Sequence, residues 1–489
     1  MMDKSGLRRE LGLLHATMFG IGGAICAGVF VMLGHATSLA GTAIVIALPL
    51  CGIINLFTMC SYAELGAAIP SAGGEYTFAK VAYGGLVAFL TGWFEWISNT
   101  FYATLSSVGF AYIVSYIVPT INVPLIAIIM IIIFTVINIR GVKEAGTAET
   151  MMVVVLLIIL AIYVLVGWSY RSGTGALQLS APRGFLGIAE ATAYIFVVYL
   201  GAEAIAVTQA EIKNPSKTIP RAIILSAIAL IAVYTLIAYV TVRAVSPEIL
   251  GKEVSPLAYV AGQTMGSLGV ILVTVGGMIA ALSSLNTSIV AQSRVAYALS
   301  RDGYFPTAFL KIHRRFGVPH VAVILSSLFT IALAATGVIQ FVGYATDFGF
   351  IIGFTLVNLS LMKLRQKKPN LERPFKVPLY PFTPIAGIVT SVMLLLFIGM
   401  NVLTLGAGLG VLALLAYYLS MVGHYRIRVA FGGMSLGIGV FAALLAYLIE
   451  TGLLPLVTPP VLFYVLIFVS AVSILAGVLN VTTPTRNIF

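Results

Sequence analysis

Apolar residues accumulate along this chain in long runs separated by short polar connections. Fourteen runs reach the ~18 residues that a membrane-crossing helix needs. They lie near residues 11–39, 41–69, 83–118, 122–139, 149–168, 187–211, 219–242, 256–298, 319–338, 340–362, 381–400, 405–423, 430–449 and 459–480. The run at 256–298 exceeds one crossing and is expected to begin with an external segment around "SPLAYVAGQTMGSLG". The last four runs are the weakest, so the pattern predicts an all-α integral membrane protein of 12 to 14 spans.

Composition agrees. The chain of 489 residues is 60% hydrophobic and 9% charged, where a soluble domain carries about 25% charged residues. Basic residues then test the topology, because cytoplasmic connections collect Lys and Arg. With an even number of spans and both termini inside, 23 of the 27 Lys and Arg fall in cytoplasmic segments; Arg171, Arg183, Arg243 and Lys252 are the rest. The net charge of +11 is thus a signature of topology, and nucleic acid is not an expected partner. The opening "MMDKSGLRRELGLLHATMFG" runs straight into a long span without a cleavage pattern, so a multi-pass plasma-membrane protein with a cytoplasmic N-terminus is expected. Cys26, Cys51 and Cys60 lie in apolar segments and the five histidines are scattered, which suggests neither a disulfide framework nor a metal site. No cofactor is expected.

The first run contains "GIGGAICAGVF", residues 20–30. Each glycine inside a helix costs roughly 1 kcal/mol relative to alanine, so Gly20, Gly22, Gly23 and Gly28 mark where this span fails as a helix. Unpaired backbone groups are tolerated at membrane depth only where protein or water satisfies them. A break near Gly22–Gly28 points the free N–H groups and positive dipole end of the outer half-helix inward, a seat for a carboxylate. The carbonyls near Ala24 to Cys26 suit an ammonium group. A Gly-rich phosphate loop is a poor alternative, since no strand precedes the glycines and no acidic residue follows at about 20 residues. Close helix packing through small residues remains the bland one.

Inverted-repeat transporters place a second broken helix at the matching point of the second half. The sixth span is interrupted at "VYLGAE", where Gly201 stands near the intramembrane carboxylate Glu203. Five spans occupy about 11–168 and five more about 187–365. Repeats of five spans must be inverted relative to each other, which brings their broken members side by side. The expected division is a transport core over 1–365 and peripheral helices over 366–489.

At these residues the sequence resembles the amino acid, polyamine and organocation transporter superfamily, in its amino acid permease branch. "ICAGVF" stands where "IGAGIF" is usual, and further matches are "YAELGAAIPSAGGEY" (62–76), "NIRGVKEAG" (138–146), "YLGAEAIAVTQAEIKNPSKTIPRAI" (199–223), "ALSSLNTSIVAQSRVAYALSRDGYFP" (281–306) and "RPFKVPLYP" (373–381). The resemblance implies the five-plus-five inverted-repeat transporter fold and alternating access around a site between the first, third, sixth and eighth spans. It further implies that Ala27 and Gly28 offer N–H groups to a substrate carboxylate, with Cys26 in place of a usual glycine. Backbone carbonyls near Ala24, Ile25, Phe196 and Tyr199 would receive the amino group. Asn99, Thr100, Val198, Gly201, Ser284 and Ser288 would shape the side-chain pocket. Some proton-coupled relatives carry a lysine in the fifth span; "AETMMVVVLLIILAIYVLVGW" has none.

Ionisable residues at membrane depth are expensive and are functional candidates by default. Glu203 is a coupling or gating candidate, or a cap for loose N–H groups beyond the break. Glu95 and Asp347 are candidates for meeting a cationic side chain or gating, and each could instead pair with a neighbouring helix. Glu64, Glu75 and Glu211 are expected in gate or loop ion pairs, with Lys80, Arg140 and Lys213 in reach. Ser283 and Ser284 raise sodium as an alternative to the proton as coupling ion, since hydroxyls and carbonyls suit a hard cation. The expected function is secondary transport of amino acids; polyamines, other organic cations, sodium coupling and exchange are the alternatives within transport. An enzyme would need converging nucleophile and base, and a sensor would need a soluble output domain; the sequence offers neither. The oligomeric state is not legible.

Overall fold

The computed structural model describes residues 9–118, 120–170, 179–253, 255–335, 339–397, 400–421, 427–450 and 460–482. Its helices, in chain order, are α1 (Leu13–Ala24), α2 (Ala27–Ala40), α3 (Ile44–Ala68), α4 (Gly74–Ala82), α5 (Gly85–Ile117), α6 (Val123–Arg140), α7 (Val142–Ser169), α8 (Gly184–Ile195), α9 (Ala204–Val207), α10 (Pro215–Ala244), α11 (Pro247–Leu250), α12 (Pro256–Arg301), α13 (His320–Ala334), α14 (Ile339–Lys367), α15 (Phe382–Phe397), α16 (Met400–Met421), α17 (Ile427–Glu450) and α18 (Pro460–Thr482). Each of the fourteen apolar runs falls on a helix or on a broken pair. By length and composition seven helical stretches among the described residues can cross a bilayer; Leu13–Ala24, His320–Ala334 and parts of the C-terminal helices are shorter apolar pieces.

Local chemistry sets the boundaries. Asn122 caps α6 by accepting the Leu125 N–H at 3.1 Å, the usual work of an N-cap amide oxygen. Proline stands at the start of α10, α11 and α12, where its missing N–H costs nothing. The long run at 256–298 kinks at Gly266, whose φ of 67° interrupts α12. The stretch expected to be external is thus a helical segment ahead of the kink.

Burial separates two kinds of helix. From Ser283 to Ser300 every residue of α12 is buried, although the stretch carries Ser, Asn, Thr, Gln and Arg. That polarity is used inward, in bonds to α5, α6 and α7. By contrast α6 and α7 leave Leu125, Ile132, Val154 and Ile158 exposed, an apolar exterior that fits lipid. Helix α1 packs against α7, α10 and α12, and α5 lies between α12 and α14. The run at 149–168 is part of α7, which begins at Val142, so Glu149 sits about two turns inside a helix rather than at its end.

Candidate functional site

Helix α1 stops at Ala24. Ile25 (ψ 87°) and Cys26 (φ −99°, ψ 179°) are extended, and α2 restarts at Ala27. The second interruption follows α8: a 3₁₀ turn over Phe196–Tyr199, extended Leu200, then Gly201 at φ 112°. Beyond it only the four-residue α9 and a 3₁₀ turn, Gln209–Glu211, stand where a second half-helix was expected.

The two interruptions touch backbone to backbone. A Cβ built on Gly201 would lie 2.2 Å from the Gly23 carbonyl carbon and oxygen, and one on Gly23 would lie 2.6 Å from the Gly201 oxygen. Only a residue without Cβ permits that approach, and the positive φ at Gly201 asks for glycine independently.

Groups freed by the breaks find partners on surrounding helices. The Tyr102 hydroxyl on α5 donates to the Gly23 carbonyl at 3.0 Å. Tyr234 on α10 spans both breaks, donating to the Val198 carbonyl at 2.9 Å and to Ala24 at 3.3 Å. Asn55 on α3 donates to the Tyr199 carbonyl at 3.3 Å. The Gly201 N–H donates to both carboxylate oxygens of Glu203, at 2.8 Å each, so this carboxylate acts as a local cap. At the start of α2 the Cys26 thiol accepts the Gly28 N–H at 3.2 Å. Ala27 and Gly28 are only half-buried, unlike Ala24, Ile25, Phe196, Val198 and Tyr199 around them. The opening at this junction is therefore at the positive end of α2.

The remaining candidates are distributed as follows. Glu95 on α5 accepts the N–H groups of Glu75 (3.2 Å) and Tyr76 (3.0 Å) and so caps α4. Asn99 donates to the carbonyl of Glu95. The Thr100 hydroxyl donates to Gln292 on α12 at 2.9 Å, and Ser284 meets Ser106 at 2.8 Å. Ser288 bonds back to the Ser284 carbonyl. Ser283 donates to Glu149 of α7. The side chain of Asp347 lies outside the described residues.

Three acidic residues have partners that differ from the sequence expectation. Glu211 pairs with Arg294 through two bonds of 3.0 Å, both side chains fully buried. Glu64 is held by Arg365, by Arg373 at 3.1 Å and by the Val377 N–H at 2.7 Å. Glu75 accepts the Tyr62 hydroxyl, while Lys80 pairs with Asp302. Lys80, Arg140 and Lys213 were the expected partners; Glu211 and Glu64 do form ion pairs, but with arginines 83 and 301 residues away. The Glu211 backbone also accepts the N–H groups of Glu10 and Leu11 at 2.9 and 3.0 Å, tying the chain's beginning to this end of the bundle.

Sequence reasoning did not single out Glu149, Tyr102, Tyr234 or Asn55. Glu149 sits at the polar edge of an apolar run, where a window search reads it as a boundary. The two tyrosines carry no motif of their own.

The amino acid permease family matches residues 11–422 of the chain. A branched-chain amino acid permease of Bacillus subtilis is 28% identical over 428 residues, covering 81% of this chain and 89% of that protein. A methylthioribose transporter of the same organism is 28% identical over 411 residues, covering 78% and 87%. The vacuolar cationic amino acid transporter 4 of Arabidopsis thaliana is 26% identical over 387 residues, covering 74% and 64%.

Proposed function

The chain belongs to the amino acid permease family, transporters rather than enzymes, and on that premise we propose that it carries neutral amino acids across the plasma membrane by proton-coupled alternating access. The observation that carries this reading is the junction of the two breaks. Backbone contact between Gly23 and Gly201 brings the half-buried start of α2 beside the carbonyl-rich end of α1 and the 3₁₀ turn at Phe196–Tyr199. Opposite partial charges thus stand a few ångströms apart, which suits the carboxylate and ammonium of an amino acid backbone.

In this reading Ala27 and Gly28 receive the carboxylate, after the Cys26 thiol yields the Gly28 N–H. Carbonyls at Ala24, Ile25, Phe196 and Tyr199 surround the ammonium, and Asn99, Val198 and Ser288 border the side chain. The preference for neutral side chains rests on the acids. Glu95 is engaged by two backbone N–H groups and Glu203 by one; both carboxylates already cap backbone, so neither is dedicated to a cationic side chain or polyamine. The ten-span core over about 11–365, inverted-repeat architecture and inward-facing termini complete the proposal, supported by the matching positions of the two breaks and the partition of basic residues.

Counterflow into vesicles containing the purified protein tests it, with labelled leucine, phenylalanine, arginine, putrescine and methylthioribose as separate probes. Exchange of leucine or phenylalanine in preference to the others is expected. Exchange of putrescine or methylthioribose alone would refute the amino acid reading.

A further inference from the structure

Glu149 is fully buried; like Glu75, which accepts the Tyr62 hydroxyl, it meets neutral side chains, but Glu75 lies against Gly353 of α14 whereas Glu149 lies against Gly22 of α1. Glu64 and Glu211 hold arginines, and Glu95 and Glu203 hold backbone N–H groups. Both oxygens of Glu149 face neutral side chains of α12: the Ser283 hydroxyl on Oε1 and the Asn286 amide on Oε2 at 2.8 Å. The helices packed against α7 are α1, α6, α10 and α12. Tyrosines aside, the ionisable residues on those helices are His15, Arg140, Lys217, Arg221, Arg243, Arg294 and Arg301, with Lys143 and Glu144 on α7 itself. Among the described residues none of these hydrogen-bonds or ion-pairs with Glu149.

The location is as particular as the chemistry. A Cβ on Gly22 would fall 1.9 Å from Glu149 Oε1 and 2.3 Å from Ser283 Oγ, so α1 rests directly on the Glu149–Ser283 bond. Gly22 lies in the last turn of α1, whose end carries the negative partial charge of the helix dipole. An ionised Glu149 repels that end and a protonated one does not. The partners also admit both forms. Asn138 donates to Asn286 Oδ1 at 3.0 Å, which orients the Asn286 amide so that it can only donate to Glu149. The Ser283 hydroxyl can donate to a carboxylate or accept from a carboxylic acid, without repacking.

We propose that Glu149 carries the coupling proton of this transporter, and that its protonation seats the C-terminal turn of α1 against α7 and α12. The proposal rests on the reading of the chain as an amino acid transporter. The chemistry is one O–H bond at a Glu149 oxygen, formed from a proton taken up on one side of the membrane and broken by release on the other. Ionisation unseats the last turn of α1, and α1 leads directly into the substrate junction at Ile25–Cys26; cargo and proton therefore move through the same helix.

The test uses the purified chain in vesicles, with a labelled mixture of the common amino acids as probe. Wild type should accumulate label under an inward proton gradient and lose that accumulation with a protonophore. Glu149→Gln, which keeps the shape and can still bond Ser283, should retain counterflow within about twofold and lose gradient-driven accumulation at least tenfold. Glu149→Asp should recover part of the accumulation. Undiminished accumulation by Glu149→Gln overturns the proposal. So does loss of counterflow in the Gln and Asp variants alike, which marks a structural role, and so does accumulation driven by sodium in place of the proton. Counterflow by wild type without any response to the proton gradient overturns the role of Glu149 and leaves amino acid transport standing. Absence of wild-type counterflow refutes the transport reading itself.

Discussion

Gly201→Ala separates the contact between the two breaks from ordinary backbone strain. At φ 112° an L side chain costs on the order of 1–2 kcal/mol from conformation alone. The new methyl carbon would also lie 2.2 Å from the Gly23 carbonyl, where ordinary contact begins at 3.4 Å. The broken segments must then part by about 1 Å, and both obstructing atoms are backbone, which cannot rotate aside. A misplacement of that size in a positioned site costs on the order of 100-fold in rate. Gly184→Ala is the matched control: φ is +57°, it lies at the start of α8, and nothing stands within 4 Å of its added carbon. Counterflow rates and thermal midpoints of both variants in detergent-purified form provide the assay. We expect Gly184→Ala to lose a little stability and keep transport, and Gly201→Ala to lose transport about 100-fold while remaining monodisperse. Wild-type counterflow in Gly201→Ala would refute the reasoning, because the breaks would then not meet where the substrate is placed.

Other substitutions probe the surroundings of the site. Tyr234→Phe removes the hydroxyl shared by the Ala24 and Val198 carbonyls and should cost roughly 1–3 kcal/mol, read as a lower thermal midpoint and a weaker apparent substrate affinity. Arg294→Ala leaves the fully buried Glu211 without its partner and should destabilise by about 3–5 kcal/mol; the double change Arg294→Met with Glu211→Leu should recover much of that in the same melting assay. Glu64→Gln weakens the grip on Arg365, Arg373 and the Val377 N–H, so limited trypsin digestion should cleave near Arg373 and Lys376 several-fold faster than in wild type.

Much of the architecture was legible because membranes restrict it. Apolar length, basic connections and glycine clusters are local properties, and hydrocarbon leaves the backbone few options other than helices. The same constraint marked both interruptions, since glycines beside a carboxylate have no cheap place in a continuous span. The bend of α12 at Gly266 was not legible, because a run that exceeds one crossing carries no local mark of the point at which it turns.

Partnership was decided elsewhere. Sequence put Glu64, Glu75 and Glu211 within reach of Lys80, Arg140 and Lys213, but the fold supplied Arg365 to Glu64 and Arg294 to Glu211, because buried ion pairs form between faces that only packing brings together. Glu95 read as a group that could meet a substrate, and α4 turned out to need its cap. Glu149 read as the edge of an apolar run, and only packing placed it against Gly22 of α1. The sequence by itself determined where the apolar segments lie and where two of them fail, since those follow from residue size and solvation along one strand of chain. Only the tertiary structure decided that the failures touch, which carbonyls and carboxylates are already satisfied, and which acids are held by arginines and which by neutral groups. Those are distances between segments far apart in sequence, and no local preference encodes them.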